Sequence, residues 1–321
     1  MPLHPQAKAF LNTTNKLQRA PLHALGALKA REAYAERPDN LAPAWISVFS
    51  VEDRSIEQNT LSIPIRIYTP YNSATQLPVF IFYHGGGMVI GSIAGYDTLC
   101  RQLCIQSGCL VVSVDYRLAP EHKFPAAVDD AYAAFLWITK NTEQFNGDKH
   151  RVAIGGDSAG GTLAAVVTLL AKKKDDLLIQ CQILIYPATA PHADSESHSR
   201  YAKGYFLERD TVLWFHNSYL RSNEDRKDFR YAPLIADNLT GLPPALVIVA
   251  KYDTLRDEGV AYADRLTRSG VDTTLIEYDG MFHPFVSLAG VLDDGEKALT
   301  EIANTLNKYL WTEIHEGTTH Q

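Results

Sequence analysis

The segment Gly156–Gly160 has the residue types and spacing of a serine nucleophile on a tight turn. It reads Gly-Asp-Ser-Ala-Gly, follows the apolar run Val152–Ile154 and precedes the helical run Thr162–Lys172. Glycines on both sides of Ser158 leave room for a turn so sharp that larger side chains would collide. A Gly-x-Ser-x-Gly pentapeptide alone is weak evidence, but this strand–turn–helix context is the one that a nucleophile elbow requires. The sequence therefore predicts that Ser158 is a nucleophile.

A serine hydroxyl needs a base to remove its proton, and the chain offers one downstream. His283 lies in a loop directly after the last strand candidate, and Asp253 directly follows another strand candidate. The order Ser, Asp, His along the chain differs from the orders of trypsin-like and subtilisin-like proteases. Asp257 and Glu258 are rivals for the role of the acid. Position favours Asp253, because it lies just beyond the carboxyl end of a strand, where the sites of α/β proteins gather.

The segment His84–Gly87 follows the strand candidate Val79–Tyr83 and offers backbone hydrogen-bond donors. Because glycine lets an N–H group approach a ligand closely, we expect the amides of Gly85, Gly86 and Ala159 to stabilise an oxyanion. A phosphate-binding loop is the alternative, but the segment lacks a Gly-Lys-Ser/Thr ending and a Gly-x-Gly-x-x-Gly fingerprint. We expect the histidine of this segment to brace the loop by hydrogen bonding.

Short runs rich in β-branched and aromatic residues alternate with longer helical patterns from about residue 60 onward. Several runs are apolar at nearly every position, which is typical of parallel strands buried on both faces. The pattern predicts an α/β fold with a mostly parallel sheet and helices on both faces. The strand candidates are Ile63–Tyr68, Val79–Tyr83, Leu110–Val114, Val152–Ile154, Gln182–Tyr186, Ala245–Val249 and Thr273–Tyr278.

Two regions fall outside this alternation. Residues 1–45 have helical spacing interrupted by Pro21 and Pro38, and residues 190–231 form a long connection rich in aromatic and charged side chains. A connection of that length inside a compact domain usually has a function or its own structure. We therefore expect a helical cap made of 1–45 and 190–231 over a core made of 46–189 and 232–321.

The composition is that of an ordinary globular protein. Hydrophobic residues make up 46% of the 321 residues and charged ones 21%, enough for a well-filled core. The net charge of −7 argues against nucleic acid or anionic lipid as a partner. The amino terminus does not resemble a secretory signal, and no stretch is long and apolar enough to span a bilayer. We expect a cytoplasmic protein that does not enter membranes.

The cysteines and the remaining histidines do not indicate a special site. Cys100, Cys104, Cys109 and Cys181 are too few for a disulfide scaffold and form no Cys-x-x-Cys pair, so we expect four buried, small apolar side chains. The other histidines lack metal-ligand spacing, and no metal site is expected.

Five segments in order resemble the hormone-sensitive-lipase-like family of α/β-hydrolases, the bacterial family IV carboxylesterases with a GDSAG-type elbow. The resemblance implies an eight-stranded α/β-hydrolase sheet with a helical cap, and the hydrolysis of carboxylic esters with short to medium acyl chains without a cofactor. Thr254 and Pro284 stand where the family commonly has Pro and Gly, and both departures should be tolerated. The matching segments are His84–Gly87, Asp115–Glu121, Gly156–Gly161, Tyr252–Glu258 and Gly280–His283.

The resemblance also implies a mechanism and a partner. Ser158 would attack the ester carbonyl, His283 would carry the proton, and water would release the acid from an acyl-enzyme. The partner would be a small-molecule ester, and a homodimer is possible because members of this fold often pair through the last strand or helix. Core packing is an equal alternative for Tyr186 and Leu207 in the apolar pocket that an acyl chain requires. The pocket candidates are Met88, Tyr186, Phe206, Leu207, Trp214, Phe282 and Phe285.

Other functions of the same scaffold stay open at this point. An amide or formamide hydrolase resembling the arylformamidases would use similar residues. A second alternative is a non-catalytic receptor for a small ligand, similar to the plant hormone receptors of this fold. Those receptors lack the triad histidine, so the presence of His283 favours an enzyme. A lipase acting on oil droplets is a third alternative.

Overall fold

An eight-stranded β-sheet forms the centre of the protein, whose computed structural model describes residues 2–17, 19–58, 61–174 and 178–311. In chain order the strands are β1 (Ser50–Gln58), β2 (Leu61–Thr69), β3 (Leu77–Tyr83), β4 (Leu110–Val114), β5 (Gly147–Asp157), β6 (Ile179–Ile185), β7 (Ala245–Tyr252) and β8 (Thr273–Phe282). Across the sheet their order is β1-β2-β4-β3-β5-β6-β7-β8. β2 pairs antiparallel with β1 and β4, and the other neighbouring pairs are parallel. The prediction of a mostly parallel sheet is confirmed.

The strand that the sequence did not predict is β1, at the edge of the sheet. The seven predicted runs lie in the other strands, except that Tyr186 falls one residue beyond the end of β6. β1 reads Ser-Val-Glu-Asp-Arg-Ser-Ile-Glu-Gln, and most of its side chains are exposed. An edge strand with one neighbour can keep charged residues on its surface, and it then lacks the apolar pattern on which a prediction depends.

Helices cover both faces of the sheet, as predicted. Alternate residues of β3 point into two separate cores, with Val79 and Ile81 on one face and Phe80 and Phe82 on the other. The ten helices of the described residues are α1 (Pro5–Lys16), α2 (Leu22–Leu25), α3 (Ala27–Ala35), α4 (Asp97–Ser107), α5 (Ala126–Asn141), α6 (Ala159–Lys173), α7 (Glu196–Arg200), α8 (Arg209–Tyr219), α9 (Arg256–Arg268) and α10 (Asp293–Leu310). Helices α5, α6 and α9 pack into the first core, and α4 and α10 into the second.

The turn between β5 and α6 brings three main-chain segments into close contact. Ser158, at this turn, has φ of 53° and ψ of −119°, a conformation that L-residues rarely adopt. Its N–H donates to the carbonyl oxygen of Ile185 at 2.8 Å. A Cβ atom built on Gly160 would lie 1.9 Å from the carbonyl oxygen of Tyr83. Helix α6 can therefore begin this close to β3 only because residue 160 is glycine.

Two helical segments outside the sheet contact each other. The first contains α1 to α3, and the second, within residues 190–231, contains α7 and α8. His23 on α2 and Thr211 on α8 form a hydrogen bond of 3.0 Å between Nδ1 and Oγ1. The rings of Phe10 and Phe206 pack with their centroids 5.8 Å apart. The two segments predicted to form a cap thus share an interface.

Hydrogen bonds from Arg31 connect helix α3 to the loops that follow β3 and β4. The Arg31 guanidinium donates to the carbonyl oxygens of Val89 and Ala119 at 2.8 Å each, and to the carboxylate of Glu121 at 2.6 Å.

Burial raises the pKa of each of the four cysteine thiols, which are free and buried as predicted. Within the described residues, no helix combines the length and the apolar character needed to cross a membrane.

Replacing Gly160 by alanine should lower the free energy of unfolding by about 3 kcal/mol, because the added methyl group must push α6 away from the Tyr83 carbonyl. Gly95→Ala is the matched control, since the nearest atom to a Cβ there is 3.6 Å away. Urea unfolding of both variants measures the difference. A Gly160→Ala variant as stable as the wild type would contradict the close approach of α6 to β3.

Candidate active site

Ser158 and His283 border one cavity, together with the first residue of α6, Ala159. Ser158 is partly exposed to this cavity, on the turn that precedes the amino terminus of α6. In the part of the chain that the structure describes, the Ser158 hydroxyl forms no direct hydrogen bond with His283. Such bonds commonly shorten when a substrate binds, so the arrangement is compatible with proton transfer between the two groups.

His283 and Asp253 form a buried hydrogen-bonded pair. Each follows its strand directly, Asp253 after β7 and His283 after β8, and these strands are neighbours in the sheet. Nδ1 of His283 lies 2.9 Å from Oδ2 of Asp253, and the N–H of Leu255 donates to Oδ1 of Asp253 at 2.9 Å. The side chains are 7% and 0% exposed. A carboxylate at Nδ1 fixes the tautomer that leaves Nε2 free to accept a proton.

The two rival carboxylates have other partners. Asp257 accepts the N–H of Ser197 at 2.8 Å, and Glu258 accepts the N–H of Thr189 at 2.6 Å. Burial raises the pKa of Glu258 to about 8, although backbone N–H groups favour its charged form. Both carboxylates hold the long connection after β6, whereas Asp253 is the one of the three bonded to His283.

The glycine-rich loop after β3 curls around the cavity through a run of positive φ angles, 116° at Gly86, 60° at Gly87 and 62° at Met88. Gly86, Gly87 and Ala159 border the cavity with Ser158. Gly85 does not border it, and its amide instead favours the charged form of the Asp157 carboxylate. Two of the three residues predicted as oxyanion donors, Gly86 and Ala159, thus border the cavity with Ser158. Gly87, the last glycine of the same motif, also borders it, although the sequence analysis did not select it.

The histidine before these glycines braces the loop, as predicted. His84 is fully buried, and its Nδ1 lies 2.7 Å from the carbonyl oxygen of Gly85. The ring of Tyr116 stacks on the imidazole at 4.3 Å, and its hydroxyl donates to the carbonyl oxygen of His84 at 2.6 Å. Burial lowers the pKa of His84. A neutral imidazole held in this way supports the loop.

The cavity has a volume of about 450 Å³, and both the core and the two helical segments contribute to its wall. Met88, Phe206 and Leu207 border it, as expected of pocket residues. Among the described residues, no group of three or more His, Cys, Asp or Glu side chains could hold a metal ion.

Four of the expected pocket residues do not border the cavity, and the structure corrects them. Tyr186, Phe282 and Phe285 are buried in the core behind it, where the Tyr186 ring packs on the His283 imidazole at 4.5 Å. Trp214 and Phe215 both pack against the other core, and of the two only Phe215 borders the cavity. One residue along a helix turns the side chain by about 100°, which decides between Trp214 and Phe215.

A chain of hydroxyl groups that the sequence did not indicate leads from the first helical segment to the elbow. The Tyr96 hydroxyl donates to the Asp157 carboxylate at 2.9 Å and lies 3.4 Å from the Tyr34 hydroxyl on α3. All three residues border the cavity. Burial raises the pKa of Asp157 to about 6, against the opposing effects of the Tyr96 hydroxyl and His283. Neither tyrosine lies in a motif, so no pattern in the sequence distinguishes them from core tyrosines.

Comparison with known families agrees with this geometry. Residues 80–287 match the model of a family described as having the α/β-hydrolase fold. The chain is similar to the ethyl acetate hydrolase of Pseudomonas putida, with 34% identity over 318 residues, covering 97% of this chain and 100% of that protein. It is also similar to an arylesterase of Saccharolobus solfataricus, with 37% identity, covering 89% of this chain and 93% of the relative.

Solved structures of esterases have closely similar folds. An ester hydrolase from the metagenome of Lake Arreo, complexed with a bipyridine phosphonate derivative, superposes with a TM-score of 0.92. It shares 41% identity, and the match covers 97% of this chain and 100% of that one. A hyperthermophilic esterase from the archaeon Pyrobaculum calidifontis superposes with a TM-score of 0.90 at 37% identity, covering 96% of this chain and 99% of the other.

Replacing Asp157 by asparagine should change how stability depends on pH. The carboxyl keeps its proton in the folded protein up to a pH of about 6, whereas in the unfolded chain it ionises near its usual pKa of 3.8. The wild type therefore loses stability relative to the variant as the pH rises from about 4 to 6, and the loss is constant above that range. A shift of this size corresponds to a loss on the order of 3 kcal/mol.

Urea unfolding of both proteins at pH 4, 5, 6 and 7.5 measures this difference in stability. Asparagine is the suitable replacement because its side chain keeps an acceptor for the Tyr96 hydroxyl. A constant offset between variant and wild type at all four pH values would contradict the raised pKa of Asp157.

Proposed function

The chain belongs to the hormone-sensitive-lipase-like family of α/β-hydrolases and is a carboxylic ester hydrolase, and we propose that it cleaves short- to medium-chain esters through Ser158, His283 and Asp253. The observation that supports this proposal best is the buried bond of 2.9 Å between His283 and Asp253, beside a cavity that Ser158 also borders. The relatives and the structural neighbours described above are esterases, which also supports ester hydrolysis by this chain.

The reaction has two halves. Ser158 Oγ attacks the ester carbonyl carbon while Nε2 of His283 removes the hydroxyl proton. The bond to the alcohol oxygen then breaks, and the imidazolium gives its proton to that oxygen. Water enters, loses a proton to the same Nε2 and attacks the acyl-enzyme, which releases the carboxylic acid and restores the Ser158 hydroxyl. Asp253 keeps the imidazole in the required tautomer and stabilises the imidazolium that forms twice in each cycle.

The negative charge that develops on the carbonyl oxygen needs hydrogen-bond donors beside Ser158. We assign this role to the amides of Gly86, Gly87 and Ala159, because these residues border the cavity. The amide at the first position of α6 has no partner within the helix and is available to a ligand. One such donor typically contributes about 3 kcal/mol to the stabilisation of the transition state. Gly85 supports the loop from behind through Asp157.

The cap of residues 1–45 and 190–231 closes the site over the core of residues 46–189 and 232–321. Phe206 and Leu207 come from the second cap segment, and Leu22 comes from the first. These apolar side chains suit an acyl or alkyl chain. A cavity of about 450 Å³ has room for a small ester, which favours soluble substrates of modest length.

Ser158→Ala should lower kcat/KM for an aryl butanoate by at least about 10⁴-fold, because the nucleophile and base act as one unit. The variant should unfold at the wild-type temperature, since alanine removes one oxygen atom that faces the cavity. A serine-directed organophosphate should label the wild type once and the variant not at all. Turnover by Ser158→Ala at the wild-type rate would remove Ser158 as the nucleophile.

A series of aryl esters from acetate to palmitate should show the highest kcat/KM between acetate and octanoate. The long chains should fall off because they exceed the volume of the cavity. A formyl anilide measured in parallel tests the amide-hydrolase alternative, and faster turnover of the anilide than of every ester would reject the proposed substrate class. A rate that rises only when the ester forms droplets would favour a lipase.

A further inference from the structure

Phe206, on the loop between α7 and α8, has a backbone conformation that large side chains rarely adopt. Its φ angle is 71°. The N–H of Leu207 donates to the carbonyl oxygen of Tyr205 at 2.9 Å, which closes a three-residue turn around Phe206. A turn of this kind with a positive φ at its centre is rare and strained. Glycine would adopt it without strain, yet the position holds a large apolar side chain.

Contacts on both sides of Phe206 hold this turn in place. The Tyr205 ring stacks on the Tyr252 ring with the centroids 5.3 Å apart. On the other side, Leu207 packs against a small apolar cluster that contains Leu255. A strained conformation persists only where its surroundings determine it, and such conformations concentrate at catalytic and ligand-binding sites. The strain therefore points to a function of the side chain that the turn presents.

The turn presents the Phe206 side chain at the wall of the cavity. This side chain is accessible to a ligand, because Phe206 borders the cavity and is 42% exposed. Its ring is supported by the rings of Phe10 and Phe282, whose centroids lie 5.8 and 6.0 Å away. Phe282 directly precedes His283 in the chain. An accessible aromatic surface thus lies next to the segment that carries the catalytic base of the proposed reaction.

We propose that the Phe206 ring binds an aromatic group of the ester by stacking, which makes Phe206 a specificity-determining residue for aromatic esters. Two aromatic rings in offset or edge-to-face contact gain free energy beyond what their buried area provides. The cavity should therefore accept a phenyl group better than a cyclohexyl group of nearly the same size. The inference rests on the proposed function, because it names a substrate class for the same cavity.

Two pairs of esters that differ in the ring alone test both sides of the ester bond. The alcohol pair is benzyl and cyclohexylmethyl butanoate, and the acyl pair is ethyl phenylacetate and ethyl cyclohexylacetate. Phe206→Leu should lower the phenyl-to-cyclohexyl ratio of kcat/KM by about threefold to tenfold in at least one pair, because leucine is apolar but cannot stack. Phe206→Tyr should keep the wild-type ratio. Differences in the intrinsic reactivity of the esters cancel, since each variant's ratio is compared with that of the wild type.

Phe49→Leu is the matched control. Phe49 is 59% exposed but does not border the cavity, so its replacement should leave both ratios unchanged. Wild-type ratios in Phe206→Leu for both pairs would overturn the inference. An equal loss of activity towards both members of each pair would overturn it too, because a ring that only packs between helices gives that result. If Ser158→Ala is inactive on all four esters in either case, the proposed function stands; turnover by that variant at the wild-type rate would reject the proposed function itself.

Two further variants measure the strain in the turn. Phe206→Gly and Phe206→Ala both remove the ring, but alanine must still adopt a positive φ. The glycine variant should therefore unfold at a higher urea concentration than the alanine variant, which is the reverse of the usual order for these two residues. A more stable alanine variant would contradict the strained turn and with it the inference.

Discussion

The close approach of α6 to β3 is the constraint on which the rest of the site depends. Ser158 holds a φ of 53° because the chain must leave β5 and enter α6 within one residue. That turn is possible because Gly160 packs directly on the Tyr83 carbonyl. The same packing sets the distance between the start of α6 and the glycine loop after β3. Ser158 and the candidate oxyanion donors are therefore positioned by main-chain contacts, which move less than side chains do.

The imidazole and its carboxylate depend on a second arrangement, the pairing of β7 with β8. Because these strands are parallel neighbours, the loops at their carboxyl ends lie side by side, and each begins with the residue that the pair requires. The helical segment within residues 190–231 also holds the loop of the carboxylate, because the Ser197 hydroxyl donates to the carbonyl oxygen of Thr254 at 2.7 Å. The position of Asp253 thus depends on the insertion as well as on the sheet.

A residue's position could be predicted from the sequence where the main chain alone sets it. It could not be predicted where the position depends on the direction in which a side chain points. Ser158, Asp253 and His283 each directly follow a strand, so chain order and apolar runs are enough to predict that they lie at the same edge of the sheet. Pocket residues on helices depend on rotation about the helix axis, and an error of one residue separates Trp214 from Phe215. The buried aromatic residues Tyr186, Phe282 and Phe285 have the composition of a pocket wall but lie in the core. Edge strand β1 carried no apolar pattern at all.

The helical segments outside the sheet and the rest of the protein are coupled through more than the wall of the cavity. Tyr34 on α3 reaches Asp157 through the Tyr96 hydroxyl, and Asp157 directly precedes Ser158 in the chain. Asp157 also lies against Gly85, so a displacement of α3 would disturb the elbow and the glycine loop together. The side chains of α8, in contrast, border the cavity and, among the described residues, form no hydrogen bond with Asp253 or His283. Substitutions on α8 can therefore change which chain the cavity accepts while the chemistry is preserved, whereas the first cap segment cannot vary as freely.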